Sequence, residues 1–148
     1  MRLFLLVLHG ISALLLVGAV THQAIAVWWP SASGPGFWRS LRATHPERYA
    51  GAVIALFAIT LLLGSVLYVP FSFVVRAEYL DRRLPWATGL FEIKEHAAAI
   101  GLCLLPAYWA VWRAPGHVAG RRAATTFLLV FAWWNFVIGH VVNDLRGL

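Results

Sequence analysis

Carboxylates are scarce in this chain: six Asp and Glu stand against twelve Lys and Arg in 148 residues, and only 12% of residues are charged. A soluble domain carries about 25%, so water is a poor solvent for most of this surface. Cysteine is nearly absent. Cys103 is alone, which excludes an intrachain disulfide and a cysteine metal cluster and leaves the redox compartment open. Met1 is the sole methionine, which argues against a thioether copper relay. No serine-centred nucleophile motif and no glycine-rich phosphate loop occurs.

Apolar residues fill the space, at 61% with a mean hydropathy of +0.74. They form four stretches, with helices expected over about 3–29, 50–75, 90–112 and 123–143. The first, second and fourth are long enough to cross a hydrocarbon core of about 30 Å at 1.5 Å per residue. The third reaches that length only if the polar turn at 92–96 begins the helix. The expected fold is all-α: an integral, multi-pass bundle of four transmembrane helices, as a single domain over residues 1–148. Arg2, the first apolar run and Ala24-Ile25-Ala26 have the look of a signal peptide. The run exceeds the 7–15 residues of a typical signal core, so an uncleaved first span is expected. Trp28, Trp29, Trp38, Trp86, Trp109 and Trp112 lie at or near segment ends, where aromatic belts form, whereas Trp133 and Trp134 lie inside the fourth segment.

The net charge of +6 sits in loops beside apolar spans, which points to anionic lipid head groups rather than nucleic acid. The first loop, 30–48, is turn-rich and includes His45, and the third, 113–122, turns at Pro115-Gly116. Pro70 is expected to kink the second segment. Glu78 and Arg82, four apart, suit a short surface helix in the second loop. Gly10 and Gly18 permit close helix approach. Four crossings place Arg2, Arg76, Arg82, Arg83, Lys94 and Arg146 on the side of the amino terminus, and Arg39, Arg42, Arg48, Arg113, Arg121 and Arg122 opposite. Lys and Arg therefore tie, and give no membrane orientation. The acids do not tie: Glu78, Asp81, Glu92, Glu95 and Asp144 share the amino-terminal side, with Glu47 opposite. Such a mixed face suits docking to a partner subunit or the handling of protons.

Ionisable residues within membrane helices are rare and often functional. His9, His96 and His140 belong to three different segments, all towards the amino-terminal side, while His22 lies towards the other. Haem iron takes axial imidazoles from two sides of its macrocycle, and helical bundles supply them from facing helices. Two of His9, His96 and His140 are thus candidate haem-iron ligands, with His9–His96 and His96–His140 the favoured pairs. Arg76, Arg82 and Lys94 lie on the side where they can hold the propionates.

In span count and in His9, His22, His96 and His140, the chain resembles the four-helix b-type cytochromes that anchor quinone-linked oxidoreductases. The resemblance implies a haem b subunit carrying electrons between a redox partner and the quinone pool, as part of an oxidoreductase complex rather than an enzyme alone. His9 and His22 are thirteen apart, about 140° around a helix, which suits one haem better than two. The third histidine then remains for a quinone or a proton path.

Plainer readings exist for these residues. Histidines at helix ends contact head groups or bond carbonyls, and His140 can pair with Asp144. Glu92 and His96 share a helix face, a weak arrangement for a divalent metal. Asn135 can bond another helix, and Thr21 with Gln23 makes a polar cluster beside His22. The competing function is a structural membrane subunit that binds no cofactor and docks partner proteins or lipids. A small transporter or proton channel ranks last, since no internal repeat is visible.

Overall fold

A computed structural model describes residues 2–29, 36–37 and 46–146, with the Arg2 side chain excepted. The expectations for Trp38, Arg39, Arg42 and His45 lie outside these residues. The described residues form four long helices: α1 (Arg2–Trp28), α2 (Tyr49–Phe71), α3 (Pro85–Arg113) and α4 (Val118–Leu145). A 3₁₀ turn, Pro46–Arg48, leads into α2. Among the described residues there is no strand.

Three helices are long and apolar enough to cross a membrane: Leu3–Trp28, Pro46–Arg83 and Val118–Leu145. By the same measure of length and composition α3 is not among them. Its first half carries Glu92, Lys94 and Glu95.

The second helix runs further than its apolar stretch. Pro70 has no N–H to donate, yet the coil continues, since Ser72 N–H reaches the Tyr68 carbonyl. From Ser72 to Leu80 it widens into a π-helix, and Asp81 N–H bonds the Arg76 carbonyl five residues back. A last α-turn, Asp81–Arg83, ends at Leu84, whose φ of −138° and ψ of 62° leave the helix. Pro85 then opens α3, a position where its missing donor costs nothing. The polar stretch 76–83 is therefore an extension of the second helix rather than a loop with its own short helix, and α3 begins at 85, ahead of the expected 90.

Helix α1 packs between α2 and α4, and α3 packs on α4 and α2. One core cluster joins all four helices through Val17, Val20, Val53, Phe57, Leu105, Tyr108, Trp112 and Leu128. A smaller one ties the π segment to α3 and α4 through Val75, Leu80, Ala87, Phe91, Ile138 and Val142. The outer faces are apolar too, with Phe4, Ile11, Leu62, Val66, Ile93, Ile100, Phe127 and Val130 exposed. A surface of that kind exceeds the apolar patches of soluble monomers.

Candidate functional site

Between the two clusters the helices part around a cavity of about 590 Å³, within the range of small-molecule sites. All four helices line it, and small residues make the room: Gly10 and Ala13 on α1, Gly64 on α2, Ala98 and Ala99 on α3, Ala132 and Gly139 on α4. Phe57, Tyr68, Phe71, Phe91 and Phe136 supply aromatic walls. On α4 the lining face reads Ala132, Asn135, Phe136, Gly139, His140, Val142 and Asn143, the i, i+3, i+4 rhythm of one helix side, and Arg146 lines it just past the helix end.

The cavity is lined by His9, which is half-buried, and by His140, which is exposed, and leaves out His96 and His22. His9 Nδ1 lies 3.1 Å from the Thr60 carbonyl oxygen of α2. A carbonyl only accepts, so Nδ1 carries the hydrogen and Nε2 keeps its lone pair in the neutral ring. Gly64 is the reason the ring fits: a Cβ there would stand 3.1 Å from His9 Cε1. Ser12 bonds the His9 carbonyl at 2.8 Å and accepts from Thr60 Oγ1 at 3.1 Å, fastening α1 to α2 at this level. His140 Nδ1 lies 3.0 Å from the Phe136 carbonyl, with its ring centroid 4.4 Å from that of Phe136. Its Nε2 is the acceptor nitrogen by the same reasoning.

His96 is exposed, with Nδ1 donating to the Glu92 carbonyl at 2.7 Å on its own helix. The cause is phase. Phe91, Lys94, Glu95, Ala98, Ala99 and Leu102 line the cavity, and His96 stands about 130° around the helix from the middle of that arc. The favoured pairs both include His96, whereas the pair that shares the cavity is His9 with His140. His22 stacks on Tyr49, with centroids 5.0 Å apart, at the other end of α1.

The cations divide in the same way. Arg76 donates to Glu92 at 2.5 Å and to Tyr68 Oη at 3.3 Å, and stands 3.8 Å from Asp81. Arg82 pairs with Glu78 at 3.3 Å in solvent. Neither lines the cavity. Lys94 does, paired with Glu95 at 3.6 Å and lying 5.0 Å from the Phe91 ring centroid. Arg146 does as well, while also covering Tyr79 at 4.8 Å. Asn135 donates to the Phe131 carbonyl of its own helix at 2.8 Å, rather than to a neighbouring helix.

Sequence reading did not single out Arg146, Asn143 or Tyr68 for the site. The α4 periodicity leading from Asn135 through His140 to Asn143 was the available signal, and it does not reach Arg146, which lies past the helix end. Among the described residues no group of three or more His, Cys, Asp or Glu is placed to hold a metal ion, Glu92 and His96 included. The cavity instead joins two imidazoles, two cations, the Glu95 carboxylate and aromatic walls. Comparison with protein-family models, curated proteins and solved structures gave no match.

Proposed function

We propose that the chain is a four-span integral membrane subunit that binds one haem b through His9 and His140, and passes electrons between a partner subunit and the quinone pool. The observation that carries this reading is the pair of imidazoles on one cavity, each with its Nδ1–H held by a backbone carbonyl. That is the usual support of a metal-ligating histidine: the bonded nitrogen fixes the ring, and the other is left for the metal.

The lining fits the group. Small residues leave space for a flat macrocycle, and Phe57, Phe91 and Phe136 give it an apolar wall. Of the three cations expected to hold the propionates, Lys94 lines the cavity but shares its charge with Glu95, Arg76 and Arg82 lie outside it, and Arg146 adds a further positive charge to the lining. When bound, haem supplies a one-electron couple whose potential the axial ligands and burial set. The chain orients both imidazoles and offers aromatic side chains to the faces of the macrocycle.

Membrane placement of α3 has its own support. Its 29 residues rise about 43 Å, more than a hydrocarbon core requires. Lys94 and Glu95 turn to the cavity, whereas Ile93, Ile100 and Trp109 are exposed and do not line it. The charged residues Glu92, Lys94 and Glu95 with His96, all in its first half, account for its modest hydropathy. Quinones share the bilayer with such a subunit, which is why the electron partner is sought there.

The test is a reduced-minus-oxidised spectrum of the detergent-purified chain with its native partners. A b-type α-band that disappears in both His9→Ala and His140→Ala is the expected result. A band that survives both variants assigns the haem to another subunit, and no band at all leaves a cofactor-free structural subunit.

A further inference from the structure

The end of the bundle away from the cavity carries an unbalanced charge. Arg113, Arg121 and Arg122 lie there, and Glu47 is the one acid the sequence offers that side. Each arginine rests on a tryptophan: Arg113 on Trp109 at 4.1 Å, Arg121 on Trp112 at 5.2 Å, and Arg122 on Trp28 at 5.1 Å to the ring centroid. Such stacking holds a guanidinium in place without neutralising it.

The three are not equivalent. Arg121 is spent on structure, since it donates to the Val111 carbonyl at 3.0 Å and the Ala114 carbonyl at 2.8 Å and closes the end of α3. Arg113 sits on the exposed rim. Arg122 opens on a groove between the end of α1 and the start of α4, lined by Trp28, Val118, Ala119, Ala123, Thr126 and Phe127. Its Nε donates to the Val27 carbonyl at 3.3 Å. Its two terminal nitrogens have no hydrogen-bond or ion-pair partner among the described residues. Trp28 is fixed in turn by donating Nε1 to Thr126 Oγ1 at 3.0 Å. The groove is thus a held guanidinium beside a held indole, with an apolar floor continuing along α4 to Phe127.

We infer that this groove seats an anionic glycerophospholipid, with its phosphate on Arg122, its glycerol region beside Trp28 and an acyl chain along Ala123 and Phe127. Arginine's planar fork suits a phosphate, tryptophan suits the headgroup level, and the one-sign edge supplies the attraction. The inference rests on the membrane placement proposed above and is independent of the haem.

The experiment is native mass spectrometry of the full chain, released from detergent after titration with phosphatidylglycerol or with phosphatidylcholine of the same acyl chains. Phosphatidylglycerol is expected to bind about five-fold more tightly, the effect of roughly one basic residue at a membrane surface. Arg122→Gln removes that preference, Arg122→Lys keeps part of it, and Arg83→Gln at the opposite edge leaves it whole. Equal binding of the two lipids overturns the site, as does a preference that survives in Arg122→Gln. Glycerol phosphate displacing the lipid at equal concentration also overturns it, because the site is then for a free phosphate. Alkaline carbonate extraction separates the two levels: a chain released from membranes refutes the placement, whereas a retained chain without the lipid preference refutes only this site.

Discussion

The two ends of this bundle handle the same materials in opposite ways. At the cavity end the helices are spaced by glycine and alanine, and most of the cations meet carboxylates: Arg76 with Glu92 and Asp81, Arg82 with Glu78, Lys94 with Glu95. At the far end the helices close on Val20, Tyr108, Leu128 and Thr125, and Arg113, Arg121 and Arg122 lie on tryptophans. Buried polar groups there serve each other. Tyr108 Oη donates to Gln23 Oε1 at 2.5 Å, Gln23 Nε2 donates to the Pro46 carbonyl at 3.1 Å, and Trp112 Nε1 donates to Thr125 Oγ1 at 3.3 Å. Satisfied buried networks rigidify a core. The far end fastens the four helices, and this fastening lets the other end stay open around two histidines.

Substitutions can break that contrast, the largest effect first. His9→Ala and His140→Ala should each abolish the haem spectrum, while His22→Ala and His96→Ala should retain it, as read by difference spectroscopy on the purified complex. Loss of the band in His96→Ala with retention in His140→Ala would reverse the ligand assignment. At the far end, Tyr108→Ala removes a fully buried side chain and should cost about 3–5 kcal/mol, measured by reversible unfolding in mixed micelles. A cost below about 1 kcal/mol would mean that this end is not the fastener.

Two glycines give intermediate effects and sharpen the comparison. A Cβ on Gly101 would lie 2.7 Å from Phe57 Cζ, so Gly101→Ala should cost about 1–3 kcal/mol by overpacking α3 against α2. Gly64→Ala pushes on the His9 ring instead, and should weaken haem retention more than it lowers the unfolding midpoint. The reverse outcome would make Gly64 a packing residue. The smallest effect belongs to the solvent pair: Glu78→Gln should change stability by less than about 0.5 kcal/mol. A larger loss, read in the same unfolding assay, would show that the π segment depends on this pair.

Much of the fold was legible because long apolar runs in a polar-poor chain leave few alternatives to helices. The three strongest runs correspond to the three helices long and apolar enough to cross a membrane. The second helix was under-read. Its last turns are polar, and nothing in residues 72–83 signals that the coil continues as a π-helix past Pro70. The site was legible in part. His9 and His140 stood out as intramembrane histidines, but His96 stood out equally, since depth along a helix is visible in sequence and facing depends on the register of the whole helix. Starting α3 at Pro85 and following Phe91, Lys94, Ala98 and Leu102 turns His96 outward.

The sequence by itself determined the helical class, the apolar exterior and the two ends to which charge and histidine are confined. These follow from composition and from 1.5 Å of rise per residue, which are local properties. Only the tertiary structure decided which histidines share a space, that Lys94 and Arg146 line it while Arg76 is held by Glu92 and Asp81, and that Arg122 rests on Trp28. Those outcomes depend on how four helices rotate against one another. That rotation is set by side chains meeting across helices, such as Phe57 against Gly101 and His9 against Gly64.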